Sequence, residues 1–225
     1  MDRTCHPLPF RTLLCILIIL VLALAAPASA AVWTINPGDS IQTAINSSAS
    51  GDTIILNPGT YNQNEIMIFK NISIQANTSM GGSAADTIID AARAGRIFNN
   101  SEGHSLAIDN LTLKNGYNSG NGGAIYTKNG GTLTITSSTF SNCSATSRGG
   151  AIDATSSTLN ITSSTFSNCS ADGGGAIFSS GSTLSITSST FSNCSAKSYG
   201  GAIVASGTVT VTSSTFSTCS ATNGE

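Results

Sequence analysis

Between Gly122 and Glu225 the chain writes one unit four times. Gly-Gly-Ala-Ile begins at Gly122, Gly149, Gly174 and Gly200, and each start is followed by an alternating Thr-Leu-Thr-Ile-Thr run or a close variant and then by Ser-Thr-Phe-Ser. Successive starts are separated by 25 to 27 residues. A fixed period of this size means units that stack because none can bury a face alone. The runs at Thr132, Thr158, Thr183 and Thr208 alternate polar with apolar residues and favour β-branched types, the pattern of a half-buried strand. No unit carries apolar residues at helical spacing, and Ser, Thr and Gly make poor helix interiors. Helical repeats are therefore excluded, and leucine-rich repeats fail for want of their leucine-asparagine framework.

Three short strands fit one unit, at Ala-Ile, at Leu-x-Ile and at Ser-Thr-Phe, separated by Gly, Asn and Ser turn chemistry. Coils of three strands stacked in register predict an all-β, right-handed parallel β-helix with like residues in columns about 4.8 Å apart. Phe140, Phe166, Phe191 and Phe216 form one column, gaining about 0.5–1.5 kcal/mol per ring pair beyond burial. Asn142, Asn168 and Asn193 are expected to form an internal amide ladder at a turn, ending where Thr218 replaces Asn. Cys143, Cys169, Cys194 and Cys219 form a further column. Parallel Cβ vectors about 4.8 Å apart disfavour a disulfide, which needs roughly 3.8 Å, so buried free thiols are expected. Four sulfurs in a line cannot surround one zinc ion tetrahedrally.

Gly-Gly-Ala-Ile followed by Phe-Ser-Asn resembles the repeat of the polymorphic outer-membrane proteins and of adhesin-like surface proteins of methanogenic archaea. That resemblance covers residues 122–225. Ile41-Gln42-x-Ala44-Ile45, Gly51-Asp52-Thr53-Ile54 and Pro58-Gly59-Thr60-Tyr61 resemble the N-terminal coils of pectin-lyase-like β-helix proteins. The first resemblance implies a surface passenger or stalk. The second implies a fold that hosts polysaccharide lyases and hydrolases.

Three segments follow in order. Residues 1–30 read as an export signal: Arg3 and Arg11 precede an apolar run from Leu13 to Ala26, and Ala28-Ser29-Ala30 gives the small-x-small cleavage pattern. The run is about 14 residues, short for a membrane span, and Cys15 lacks the small preceding residue of a lipoprotein box. Residues 31–121 are expected to hold a cap and irregular coils. Ser40 caps a short helix that presents Ile41, Ala44 and Ile45 on one face, covering the open end of the stack. Strands are expected at 53–56, 66–69, 72–75, 87–90, 96–98 and 106–113, with a turn at 57–61. Residues 122–225 hold the four regular repeats, for a total of seven or eight coils, about 35 Å of stack. The chain stops where the next Gly-Gly-Ala-Ile is due, which reads as a truncated frame; any membrane attachment would then lie in C-terminal parts not included.

Only 9% of residues are charged and the net charge is −2, which leaves no electrostatic footprint for nucleic acid. The repeats carry no paired carboxylates, and no cofactor or metal is expected. The densest titratable group is Asp86, Asp90, Arg93, Arg96, His104 and Asp109; were the chain a lyase or hydrolase, Asp90, Arg93 and His104 would be the residues to carry it. The outward positions of the alternating strand offer a different surface, with Thr134, Thr136, Thr162, Thr187, Thr210 and Thr212 forming a regular hydroxyl and methyl face. Such a face resembles the ice-binding side of β-helical antifreeze proteins and suits glycan equally. The expected partners are surface glycans, other cells or further copies of the chain, at the cell surface or, where the host has one, the outer membrane. Sequons occur at nine asparagines, with Asn160 the best-exposed expectation and Asn142, Asn168 and Asn193 blocked if they face inward.

Overall fold

The computed structural model describes residues 29–223, so all but the last two residues of the expected 1–30 signal segment lie outside the described residues. The remainder forms one compact unit, from Ala31 onward. Its strands pair in parallel throughout, each with the equivalent strand of the next coil.

Four ladders climb the stack, three from the N-terminal coils and one from Tyr117 onward. The broad face climbs from Val32–Ile35 through Thr53–Leu56, Ile72–Ala76, Leu106–Asp109, Thr132–Thr136 and Thr158–Thr162 to the second halves of Ile177–Thr187 and Ile203–Thr212. A second face holds Ile66–Met67, Phe98–Asn100, Ile125–Thr127 and Ile152–Thr155 and joins the broad face where Ile177–Thr187 turns the corner as one strand. A third face has seven strands, from Gly59–Asn62 to Thr215–Ser217. The three expected strands per unit are thus present. A fourth ladder, from Tyr117–Asn118 to Ser220–Ala221, adds five short strands, the last four containing the Ser-Ala that follows each cysteine.

Alternation decides what is inside. In Thr132–Thr136 the two apolar residues are buried and the three threonines are half-buried, and Leu133, Leu159, Leu184 and Val209 stack in register, as do Ile135, Ile161, Ile186 and Val211. The phenylalanine column is as expected: ring centroids lie 4.7, 4.8 and 4.8 Å apart with interplanar angles of 8°, 4° and 7°. These spacings also measure the rise per coil.

The corners need backbone that few residues adopt. Each regular coil has at least one serine and one asparagine or threonine at positive φ, as at Ser163 (50°) and Asn168 (53°). Asn tolerates this left-handed region because its short polar side chain compensates locally. Gly150 marks a close approach, because a Cβ there would overlap the Gly175 carbonyl of the next coil.

The asparagine ladder is a correction. Asn142, Asn168 and Asn193 occupy the expected left-handed turn, but their side chains are exposed and make no hydrogen bond among the described residues. A left-handed residue between Ser-out and Cys-in turns its Cβ away from the core, so the column is external and its sequons stand open. The internal polar ladder is built from serine instead. The Oγ atoms of Ser138, Ser164 and Ser189 donate to the carbonyls of Thr136, Thr162 and Thr187 at 2.7–2.9 Å. Ser138, Ser164 and Ser189 in turn give their N–H groups to the Oγ of Ser164, Ser189 and Ser214 at 3.1–3.2 Å. Each hydroxyl thereby satisfies one buried donor and one carbonyl per corner.

The N-terminal coils differ from expectation in detail. The helix Ile41–Ser47 is present, with Ser40 Oγ accepting from Thr43 N at 3.1 Å and Ile41, Ala44 and Ile45 buried; it packs against the first broad-face strand. The expected 106–113 strand is two, Leu106–Asp109 and Thr112–Lys114, because Asn110 (φ 58°) turns a corner between them. The expected 96–98 strand begins at Phe98. The supposed turn at 57–61 contributes the strand Gly59–Asn62, whose Tyr61 is fully buried with its hydroxyl 2.9 Å from the Ile35 and Asn57 carbonyls.

A candidate binding face

On the broad face, pairing register fixes which side chains share a column. Thr134, Asn160, Ser185 and Thr210 form one outward column; Thr136, Thr162, Thr187 and Thr212 form the next; Thr132, Thr158, Thr183 and Thr208 form a third. Columns lie two residues apart, roughly 6.6–6.8 Å along the strand, and rungs are one coil apart. The six expected threonines therefore share one surface. Their hydroxyls have no protein partner among the described residues, which leaves each free to donate and accept toward an outside group. No charge stands among these twelve positions. The nearest is Asp109, in register below Thr136, whose carboxyl burial pushes above its ordinary value.

The expected acid cluster is not brought together. Asp90 ends a strand of the third face, where it faces Lys114 Nζ at 3.3 Å and accepts from Ala92 N and Asn115 Nδ2. Burial pushes its carboxyl up, but those hydrogen bonds and the lysine outweigh this and hold it below the ordinary carboxylate value. Arg93, in the following turn, donates to Ser144 Oγ at 3.1 Å and lies over the Tyr117 ring. His104 belongs to the opposite corner, between Phe98–Asn100 and Leu106–Asp109, with its ring 3.4 Å from the Glu102 carboxylate. No hydrogen bond or ion pair joins the three among the described residues. Asp90 and Arg93 serve the turn they sit in, and the chain distance between two corners separates them from His104.

One buried charge pair was missed. Asp153 is completely buried, 3.3 Å from Arg148 Nε, and accepts from Thr155 Oγ1 at 3.2 Å. Burial drives its carboxyl upward against the opposing pull of Arg148. The Arg148 guanidinium also stacks over Phe178, 4.5 Å from the ring centre. The signal available in the sequence was Asp153 itself, the single acid in a column otherwise held by Tyr126, Phe178 and Val204. With one carboxylate and no second acid beside it, the pair lacks the two groups that glycoside hydrolysis requires. Among the described residues no three His, Cys, Asp or Glu side chains are arranged to hold a metal ion. A groove of about 530 Å³ lies beside the helix and is lined by uncharged residues including Gln42, Asn62, Gln63 and Asn64.

A parallel stack with in-register columns defines a β-solenoid. The sequence profile of the right-handed β-helix region matches residues 53–216, and the chain belongs to that family. Among solved structures it is similar to the PL6 family alginate lyase AlyGC, with a TM-score of 0.49 and 15% identity over 85% of this chain and 40% of that one. A mutant of the same lyase gives 0.47 and 16% over 85% and 38%. The chain thus spans about two fifths of the length of those enzymes, and identity this low transfers no residue role. No curated protein matches the chain.

Proposed function

We propose that the chain is a secreted or cell-surface β-helix passenger of the adhesin-like kind, acting by contact and not by catalysis. The observation that carries this reading is the uncharged, in-register array of Thr134, Thr136, Thr162, Thr187, Thr210 and Thr212 on one face. A regular lattice of hydroxyls and methyls suits a repetitive neutral polymer, because one register of contacts repeats at every coil and weak contacts add. Surface glycans of other cells fit that description. The Gly-Gly-Ala-Ile and Phe-Ser-Asn repeats, similar to those of polymorphic outer-membrane proteins and archaeal adhesin-like proteins, support the same reading, as does the apolar leader ending at Ala28-Ser29-Ala30.

Binding to a neutral-glycan array and to whole cells tests it. The triple substitution Thr134→Lys, Thr162→Lys and Thr187→Lys places three charges on the face without touching the core, and binding is expected to fall at least tenfold. Substituting Asp90, Arg93 and His104 together with alanine is expected to leave binding unchanged. Polysaccharide cleavage by the parent protein that this second triple abolishes would overturn the reading in favour of a lyase or hydrolase.

A further inference from the structure

Cys143, Cys169, Cys194 and Cys219 are all free thiols, the first three buried and the last half-buried. Pairing of the serines that follow them, Ser144 with Ser170, Ser170 with Ser195 and Ser195 with Ser220, places the four cysteines in register. Their side chains share one orientation. Each Sγ lies 3.4–3.5 Å from the carbonyl two residues before it, at Ser141, Ser167, Ser192 and Ser217. Each also lies 3.6–3.9 Å from a carbonyl of the preceding coil, at Leu113, Phe140, Phe166 and Phe191. Four side chains with the same local geometry on coils that rise 4.7–4.8 Å, as the adjacent ring column measures, put their sulfurs one coil rise apart.

That spacing excludes a disulfide and a tetrahedral ion, yet it matches another coordination. A zinc–thiolate bond is roughly 2.3 Å long, and an ion held linearly by two sulfurs at bonds of about that length would separate them by about 4.6 Å. Soft thiolates select monovalent copper, zinc or iron–sulfur clusters, and the latter two take tetrahedral sulfur sites, which a line of sulfurs does not supply. We propose that the cysteine column is a binding site for Cu(I), held as linear bis-thiolate centres between adjacent coils. Each centre forms when one Cu(I) displaces the protons of two thiols, making two Cu–S bonds and releasing two protons; neither copper nor sulfur changes oxidation state. A sulfur already bound along the column axis has no second bonding direction along that axis at an acceptable angle. Neighbouring gaps therefore do not fill together, and the column holds two ions, between Cys143 and Cys169 and between Cys194 and Cys219.

The test is Cu(I) titration of the reduced full chain under argon, with bound metal counted after gel filtration. A background of Cys5→Ser and Cys15→Ser confines the count to the column. The parent is expected to retain two Cu(I) per chain, with two sulfur neighbours per copper by X-ray absorption. Two double variants each remove two thiols. Cys143→Ala with Cys219→Ala leaves the adjacent pair Cys169 and Cys194 and is expected to retain one ion. Cys169→Ala with Cys194→Ala leaves two thiols three coils apart and is expected to retain none, with an unchanged far-ultraviolet spectrum confirming the fold. No bound copper in the parent, equal retention by the two doubles, or three or four sulfurs per copper would each overturn the proposal. Should the second double fail to fold, Cys169→Ser with Cys194→Ser answers the same question with a smaller change in volume.

Discussion

Replacing Phe166 with alanine should damage the stack as severely as any single truncation in the repeats. Its ring is fully buried and stacked on both sides, against Phe140 at 4.7 Å and Phe191 at 4.8 Å. Emptying a buried phenylalanine site costs about 3–5 kcal/mol, and each lost ring pair carries about 0.5–1.5 kcal/mol beyond burial. A loss of about 5 kcal/mol follows, since the rigid coils above and below cannot close on the gap. Phe140 is equally buried but has Leu113 on its other side, so Phe140→Ala should cost about 1 kcal/mol less, the value of one ring pair. The assay is urea unfolding followed by far-ultraviolet circular dichroism. With a slope of about 3 kcal/mol/M, Phe166→Ala should lower the midpoint by about 1.5 M. The double variant supplies a cycle whose coupling energy should be about 1 kcal/mol. A Phe166→Ala cost under about 2 kcal/mol, or a coupling energy of zero, would refute the claim that the rings form a packed column.

Three other perturbations follow from single contacts. Thr218 holds the left-handed corner (φ 52°) that asparagine holds in the other repeats, a poor conformation for a β-branched residue; Thr218→Asn should raise stability by about 1 kcal/mol, read by the same urea titration. Ser164→Ala removes the acceptor of the buried Ser138 N–H and should cost about 1–3 kcal/mol, whereas Ser163→Ala, one residue earlier and exposed, should change stability by less than about 0.5 kcal/mol. Asp52, 3% exposed, accepts from Trp33 Nε1, Ala49 N and Ala31 N, and these bonds, the Trp33 bond foremost, hold its carboxyl below the ordinary carboxylate value. A carboxyl lowered on folding stabilises above its unfolded value and loses that contribution as pH falls through the folded one. Fluorescence of Trp33, the sole tryptophan, should therefore shift as pH drops below about 4, before the far-ultraviolet spectrum changes, and Asp52→Asn should remove that step.

Sequence legibility tracked repetition. The phenylalanine, leucine and isoleucine columns were readable because a residue that recurs at one position in four coils has only one side of the sheet to occupy. The threonine face followed from the same alternation. Asn142, Asn168 and Asn193 misled because asparagine suits both an amide ladder and a left-handed corner, and only the direction of the Cβ at φ near 50° separates the two. Ser138 and its equivalents were hidden among serines of identical sequence neighbourhood: Ser137 is exposed and Ser138 buried, a difference of one residue at a corner. The N-terminal coils lack an internal copy to calibrate against, so Asn110 was read through as strand and Tyr61 as turn. Asp90, Arg93 and His104 are near one another in the chain, but His104 belongs to a different corner of the coil from the turn that holds Asp90 and Arg93, and proximity in sequence carries little weight in a solenoid.

The whole account rests on coils stacking in register, and nuclear Overhauser contacts between phenylalanine rings in selectively labelled protein test that most directly. Phe166 ring protons should contact the rings of Phe140 and Phe191, and Phe191 those of Phe216, in an unbroken order along the stack. Contacts that skip a coil, or no ring-to-ring contacts among these four residues, would contradict the in-register helix and with it the threonine face and the cysteine column.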